Sequence, residues 1–177
     1  ARRIERAWIF DPNSDRVTAF IAEMQPLVGA TLAVAPSPAE AARDADVICA
    51  ATTSPTPVFD GRDLKPGAHV NAVGSYTLQM QEIDSEVARR AGKVFVDSRE
   101  AVLAETGDVV NPLKEGLIAE ADLIEIGAVA AGQHPGRTAT NEITFFKSCG
   151  IAVQDVAAGG EVLRRAKEMN LGVEIAL

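Results

Sequence analysis

Asp46-Val-Ile-Cys-Ala-Ala-Thr-Thr-Ser54 is the stretch on which the reading of this chain turns. After one acidic residue, an unbroken apolar run gives way to three hydroxyl side chains and then Pro55. A short apolar run bounded by turn residues suits a strand covered on both faces, the kind a parallel sheet requires. Hydroxyl groups at its carboxyl end stand where open parallel sheets hold their ligands.

The same alternation recurs on both sides. Upstream, Ala7 to Phe10 is a short apolar run ending in Asp11-Pro12-Asn13-Ser14. Ser14 is placed to cap a helix running to Met24, with Val17, Phe20, Ile21 and Met24 on one stripe. Thr31 to Ala35 reads as a strand, and Ser37 to Ala45 as a short helix with Pro38 at its first position. Downstream, His69 to Val73 is a strand closed by Gly74, and Asp84 to Ala91 is a helix stopped at Gly92. Lys93 to Val96 is a further strand ending at Asp97-Ser98. Strand and helix in turn predict an α/β fold with a Rossmann-type parallel sheet wound by right-handed crossovers. After Glu142 the rhythm fades. Ile143 to Phe146 reads only as a short apolar stretch, Ile151 to Met169 as a long helix containing Gly159-Gly160, and Val173 to Leu177 as a last apolar piece. Two parts are therefore expected: a partial dinucleotide-binding domain over 1–141, and a segment over 142–177 that packs on something other than the sheet.

Composition narrows the function. The 177 residues are 47% hydrophobic but only 5% aromatic, as expected of a core built from Ala, Val and Ile. A net charge of −8 argues against nucleic-acid partners, which need clustered Lys and Arg. No apolar run approaches the roughly 20 residues of a membrane span, so no membrane role is expected. Cys49 and Cys149 read as two separate reduced thiols used for packing, which points to the cytoplasm. Two isolated histidines give no metal site. His69, mid-strand, reads as a core residue with its bonds satisfied, and His134 as part of a surface turn.

Polar and glycine residues collect at the strand ends: Asp11, Thr52 to Ser54, Gly74-Ser75-Tyr76 and Asp97-Ser98. A carboxylate after the second strand of a dinucleotide fold binds the adenosine ribose hydroxyls, and this is the reading favoured for Asp11. The competing one is a plain Asp-Pro-Asn-Ser turn. NAD is the expected cofactor, and NADP stays open because Asn13, Ser14 and Arg16 stand within reach of a 2′-phosphate. No G-x-G occurs anywhere in the chain. The pyrophosphate loop normally lies about 20 residues before the ribose carboxylate. Arg2 to Glu5 therefore reads as the end of the helix after that loop. The sheet is expected to lack its first, central strand and to fall into two half-sheets. On this reading the sequence is part of a longer chain and would be unstable or aggregated alone.

Asp46 to Ser54, together with Lys65-Pro-Gly-Ala-His-Val-Asn-Ala-Val-Gly74 and Glu82-Ile83-Asp84, resembles the ornithine cyclodeaminase/μ-crystallin family. The likeness continues through Val96-Asp97-Ser98, Thr106-Gly107-Asp108, Gly132 to Arg137, Ile143 to Gly150, and Gln154-Asp155, in order over nearly the whole chain. It implies a dimeric, two-domain protein whose Rossmann domain is inserted into a substrate and dimerisation domain built from both chain ends. Carried over by position, Asp11 matches the ribose carboxylate and Thr52 a residue lining the cofactor. Val73, Gly74 and Ser75 match the turn under the nicotinamide. Ser148 matches a cofactor contact, and Cys149 a position whose backbone faces the substrate. Ser148 also stands where it could cap the following helix.

One departure matters for chemistry. The resemblance implies a proton-shuttling aspartate two residues after Gly74 in the cyclodeaminases, and here Tyr76 stands there. A phenol is protonated at neutral pH and replaces a carboxylate base poorly. A family lysine that helps place the cofactor falls on Met80. Glu82 remains, read chiefly as a carboxylate in the first turn of a helix. The resemblance thus implies an NAD(P)H-dependent reductase of cyclic ketimine carboxylates of the pyrroline-2-carboxylate type, with Tyr76 as the candidate residue beside a small amino- or imino-acid substrate. Ornithine cyclodeaminase, an amino-acid dehydrogenase, and a non-catalytic cofactor- or hormone-binding protein stay open beside it. Ligands for the substrate carboxylate are expected upstream of Ala1.

Overall fold

A computed structural model describes residues 2–173 and 175. Its elements, in chain order, are β1 (Arg6–Ile9), α1 (Ser14–Met24), β2 (Thr31–Val34), α2 (Pro38–Arg43) and β3 (Val47–Ala50). There follow β4 (His69–Ala72), α3 (Ser85–Ala91), β5 (Val94–Val96), α4 (Arg99–Glu105) and α5 (Gly107–Lys114). Last come β6 (Leu123–Glu125), α6 (Ile126–Ala130), β7 (Thr144–Lys147) and α7 (Ala152–Glu168).

All strand pairs are parallel, but they form two sheets: β1–β2, and β3–β4–β7–β5–β6. That division is the one expected of a Rossmann sheet without its central strand. The unexpected element is β7. Thr144–Lys147 lies inside the five-stranded sheet, between β4 and β5, although the sequence reading set everything after Glu142 apart from the sheet. Its short apolar run follows only the five-residue α6 and a connection made of turns, so the alternation of strand and crossover helix that marks the other strands is missing. The change of character begins at α7.

Alternation along the strands separates the two faces of the larger sheet. Val70, Phe145, Val94 and Leu123 lie side by side in register and are fully buried, on the face packed by α3 and α5. Burying each such side chain contributes roughly 1.5–3 kcal/mol. Ala72, Lys147 and Val96 form the next row on that face, all at 0% exposure. The opposite face carries Val47, Cys49, His69, Asn71 and Phe146, and is partly open. Cys49 is therefore exposed rather than packed in the core, a correction to the reading of both thiols as buried.

Local signals fix the helix starts. Asn13, not Ser14, caps α1, its side chain accepting the amides of Asp15 and Arg16 at 3.0 and 3.2 Å. Ser37, Asp84, Ser98 and Thr106 cap α2, α3, α4 and α5 in the same way. Gly92 ends α3 at φ 66°, where a side chain would be strained. α7 starts from Ile151 without a side-chain cap, so Ser148 does not cap it. None of the residues of α7 is buried, and nothing stands within 4 Å of a Cβ built at Gly159 or Gly160. The apolar piece expected from Val173 to Leu177 lies partly outside the described residues.

Candidate active site at the strand tips

Because the five strands run parallel, the carboxyl ends of β3, β4, β7 and β5 share one rim. Thr52, the Val73–Tyr76 turn, Ser148–Gly150 and Asp97 all stand on it, directly after their strands. Asp11 stands at the corresponding end of β1, in the separate two-stranded sheet. The single rim expected from sequence is therefore realised for Thr52, Gly74 and Ser148, while no strand pairing links Asp11 to it.

The rim is stitched from beneath by three carboxylates, each joining neighbouring strand tips. Glu82 joins β3 to β4. It is fully buried; Oε2 accepts the Thr52 amide at 2.7 Å and the Thr52 hydroxyl at 3.0 Å, and Oε1 accepts the Gly74 amide at 2.6 Å. It precedes α3 altogether, so the reading of Glu82 as a first-turn helix carboxylate is corrected. Glycine is required at 74, because a Cβ there would overlap the Thr52 backbone.

Asp108, at the start of α5, joins β4 to β7. Its carboxylate accepts the Ser75 hydroxyl at 2.7 Å and the Ile83 amide at 2.9 Å, and pairs with Lys147 Nζ at 3.2 Å. Lys147, the last residue of β7, also donates to the Ser75 carbonyl at 2.8 Å. Both charged side chains have 0% exposure. Thr106 completes this cluster by bonding the Ser75 hydroxyl.

Asp97 joins β5 to β7. Its Oδ2 accepts from Ser148 Oγ at 2.7 Å, the Cys149 amide at 3.0 Å and the Gly150 amide at 2.7 Å. Its Oδ1 accepts the Ser98 amide at 2.8 Å.

These bonds define what the sequence candidates can offer a ligand. The Ser75 side chain is buried at 0% and fully engaged below the rim. The Thr52 hydroxyl donates to Glu82 and accepts the Ser54 amide at 3.2 Å. The Thr52, Gly74, Cys149 and Gly150 amides are all turned toward carboxylates, so these four are not offered to a ligand. Val73 and Tyr76 are free, at 52% and 60% exposure. Burial pushes the Cys149 thiol up to about 11, with nearby carboxylates adding to the effect and Lys147 opposing it. It is no nucleophile. At the β1 tip, Asp11 Oδ1 accepts the Asn13 amide at 2.7 Å, and among the described residues Oδ2 has no hydrogen-bond partner. That oxygen remains free for a ribose hydroxyl.

His69, at the start of β4, is held as the sequence suggested. Nδ1 lies 2.7 Å from Thr144 Oγ1 and Nε2 lies 3.1 Å from Asn71 Oδ1. Burial depresses its pKa, with the Arg137 charge adding to the effect and the Asn71 bond opposing it. It lines a cavity of about 430 Å³ on the open sheet face with Phe95, Arg137 and Phe146, away from the rim.

The model of the ornithine cyclodeaminase/mu-crystallin family matches residues 1–170. This chain belongs to that family. The Delta(1)-pyrroline-2-carboxylate reductase of Bacillus cereus is 41% identical over 98% of this chain and 54% of its own length. The ketimine reductase mu-crystallin of Mus musculus is 42% identical over 67% of this chain and 35% of its own. Among solved structures, the Thermococcus litoralis Delta(1)-pyrroline-2-carboxylate reductase in complex with NADH and L-proline superposes with a TM-score of 0.93. It is 36% identical to this chain, over 98% of this chain and 54% of that one. The chain thus spans about half the length of the pyrroline-2-carboxylate reductases it matches. Among its described residues no helix is long and apolar enough to cross a membrane.

Glu82, Asp97, Asp108 and Lys147 were not singled out as site residues from sequence. Asp97 and Glu82 were visible as polar residues in family-like segments, but nothing local tells a buried clamp from a turn or a helix-start carboxylate. Lys147 ends an apolar run and gives no signal of its own.

Proposed function

We propose that this chain is the NAD(P)-binding part of a reductase that converts cyclic ketimine carboxylates of the pyrroline-2-carboxylate type to cyclic amino acids. The observation that carries the reading is the likeness to the Thermococcus reductase bound to NADH and L-proline, which extends over 98% of this chain and includes the rim. When bound, NADH or NADPH supplies the hydride that goes to the carbon of the protonated C=N bond. Asp11 holds the adenosine ribose through its free carboxylate oxygen, which favours NAD over a 2′-phosphorylated cofactor by charge repulsion. Thr52, Val73, Gly74, Ser75 and Ser148 shape the nicotinamide end, chiefly through backbone and apolar surface, because their amides and hydroxyls are engaged below. Cys149 presents its backbone toward the substrate.

Electrostatics supports a substrate with a protonated imine nitrogen. Three carboxylates against one ammonium lie under the rim, partly shielded from water, where charge is screened less than in bulk solvent. Negative charge at that depth favours a protonated ring nitrogen, which makes the neighbouring imine carbon electrophilic. Tyr76, exposed on the rim where the cyclodeaminases carry an aspartate, can donate a hydrogen bond beside that substrate. It offers no carboxylate base for deaminating ornithine. Residues from α7 onward belong, on this reading, to the substrate and dimerisation part of a homodimer.

The full-length enzyme should oxidise NADH or NADPH when given Δ1-pyrroline-2-carboxylate, and should release no ammonia from ornithine. Ammonia release without net cofactor change, or no turnover of any imine, overturns the proposal.

A further inference from the structure

We infer that Asp97 is a positioning residue for the reaction, acting through the Ser148–Gly150 loop. This deepens the reductase reading and rests on it. The loop leaves the central strand β7 and enters α7, and it carries both Ser148 and Cys149, the two residues proposed to meet cofactor and substrate there. It has no regular structure, and α7 behind it has no buried residue and no side-chain cap at its start. Gly150 sits at φ 84°, a conformation only glycine adopts without strain. The Ser148 amide is tied to the Ala72 carbonyl at 3.0 Å, and beyond that bond one carboxylate oxygen outside the loop fixes it. Asp97 Oδ2 gathers the Ser148 hydroxyl and the Cys149 and Gly150 amides, all within 3.0 Å, across the β5–β7 junction. Asp97 is 7% exposed, and the described residues give it no ion-pair partner. Its charge is met by donors from the loop and from Ser98. The arrangement gives a buried carboxylate its hydrogen bonds and gives the loop one shape.

The clasp also fixes how Ser148 can act. With its proton donated to Asp97, and with its oxygen accepting the Gly150 amide at 3.2 Å, the hydroxyl has little left to donate. Ser148 therefore serves the cofactor as an acceptor and as surface, in a position set by Asp97.

The test uses the full-length enzyme with Asp97→Asn and Asp97→Ala. Asparagine can place its carbonyl oxygen where Oδ2 stands and keep all three acceptor contacts, losing only the bond to Ser98. Alanine loses the clasp. Misplaced reacting groups cost rate steeply, so kcat/KM for Δ1-pyrroline-2-carboxylate with NADH should fall about tenfold or more in D97A and recover to within about threefold in D97N. Amide hydrogen exchange should quicken at Cys149 and Gly150 in D97A but not in D97N, with the β7 amides unchanged in both. If D97A does not fold, Ser148→Ala removes one donor from the clasp and should still quicken exchange at Gly150. Equal impairment of D97N and D97A, unchanged exchange in the loop, or exchange rising equally throughout β7 overturns the inference. An unmodified enzyme that fails to reduce the imine defeats the reductase reading instead, and the exchange comparison then decides the clasp alone.

Discussion

Gly74 and Glu82 meet at the tip of β4: the buried carboxylate takes the glycine amide at 2.6 Å, in a space that no larger residue at 74 could share. The same carboxylate holds Thr52, so one side chain locks two strand ends. Glu82→Ala would leave two amides and a hydroxyl without their acceptor. Leaving such groups unsatisfied costs about 1–3 kcal/mol each. We expect a loss of about 3 kcal/mol or more by denaturant unfolding of the full-length protein, and a smaller loss for Glu82→Gln.

Gly74→Ala is expected to be worse than its size suggests. Its Cβ would overlap the Thr52 backbone, which cannot turn aside as a flexible side chain could. Overpacking of this kind typically costs about 1–3 kcal/mol and here should approach or exceed the upper end. Thermal unfolding checks this, and a melting point equal to that of the parent would refute it.

Lys147 and Asp108 form a fully buried pair in which each supports the Ser75 turn. Lys147→Met strands the carboxylate and should cost about 3–5 kcal/mol. Adding Asp108→Asn removes the stranded charge, so the double variant should be more stable than Lys147→Met alone. A double-mutant cycle measures the difference.

His69 gives stability a pH dependence. Burial lowers its folded pKa below the ordinary 6.5, so below that pH the unfolded chain binds the proton more readily than the fold does. Stability should therefore fall as pH drops from about 6.5 toward the folded pKa. The slope of unfolding free energy against pH should be shallower in His69→Gln, measured by denaturant titrations across that range.

Cys149 should resist alkylation. With its thiol pushed up to about 11, almost none is thiolate at pH 8. Iodoacetamide should modify it far more slowly in the native protein than after denaturation, as read by peptide mass spectrometry.

How much of this was legible differs by level. The strands at 47–50, 69–72 and 94–96 announce themselves by apolar runs closed with polar or glycine residues, and the structure places them there. β7 hides because the long connection before it holds only the five-residue α6 and turns, not a crossover helix, and because its partners are the distant β4 and β5. α5 is hidden in the sequence by Gly107 at its start and Pro112 inside it, whereas α4, Arg99–Glu105, is only seven residues long and too short for a repeating stripe. At the site, Thr52, Gly74 and Ser148 could be located from their places after strands. Their partners could not. Glu82, Asp108 and Lys147 act by meeting across 8 to 72 residues of sequence, and no local pattern records a meeting. Asn13 took the cap from Ser14 because the turn begun at Asp11 brings its side chain onto the first free amides.

Hydride transfer to an imine carbon is the function proposed for the rim. Its most direct test is to supply the full-length enzyme with Δ1-pyrroline-2-carboxylate and NADH deuterated in the transferable position at nicotinamide C4, then to locate the label in the product by NMR. One deuteron on the α-carbon of proline is the predicted result. Proline formed without the label, or no proline at all with either NADH or NADPH, would contradict it.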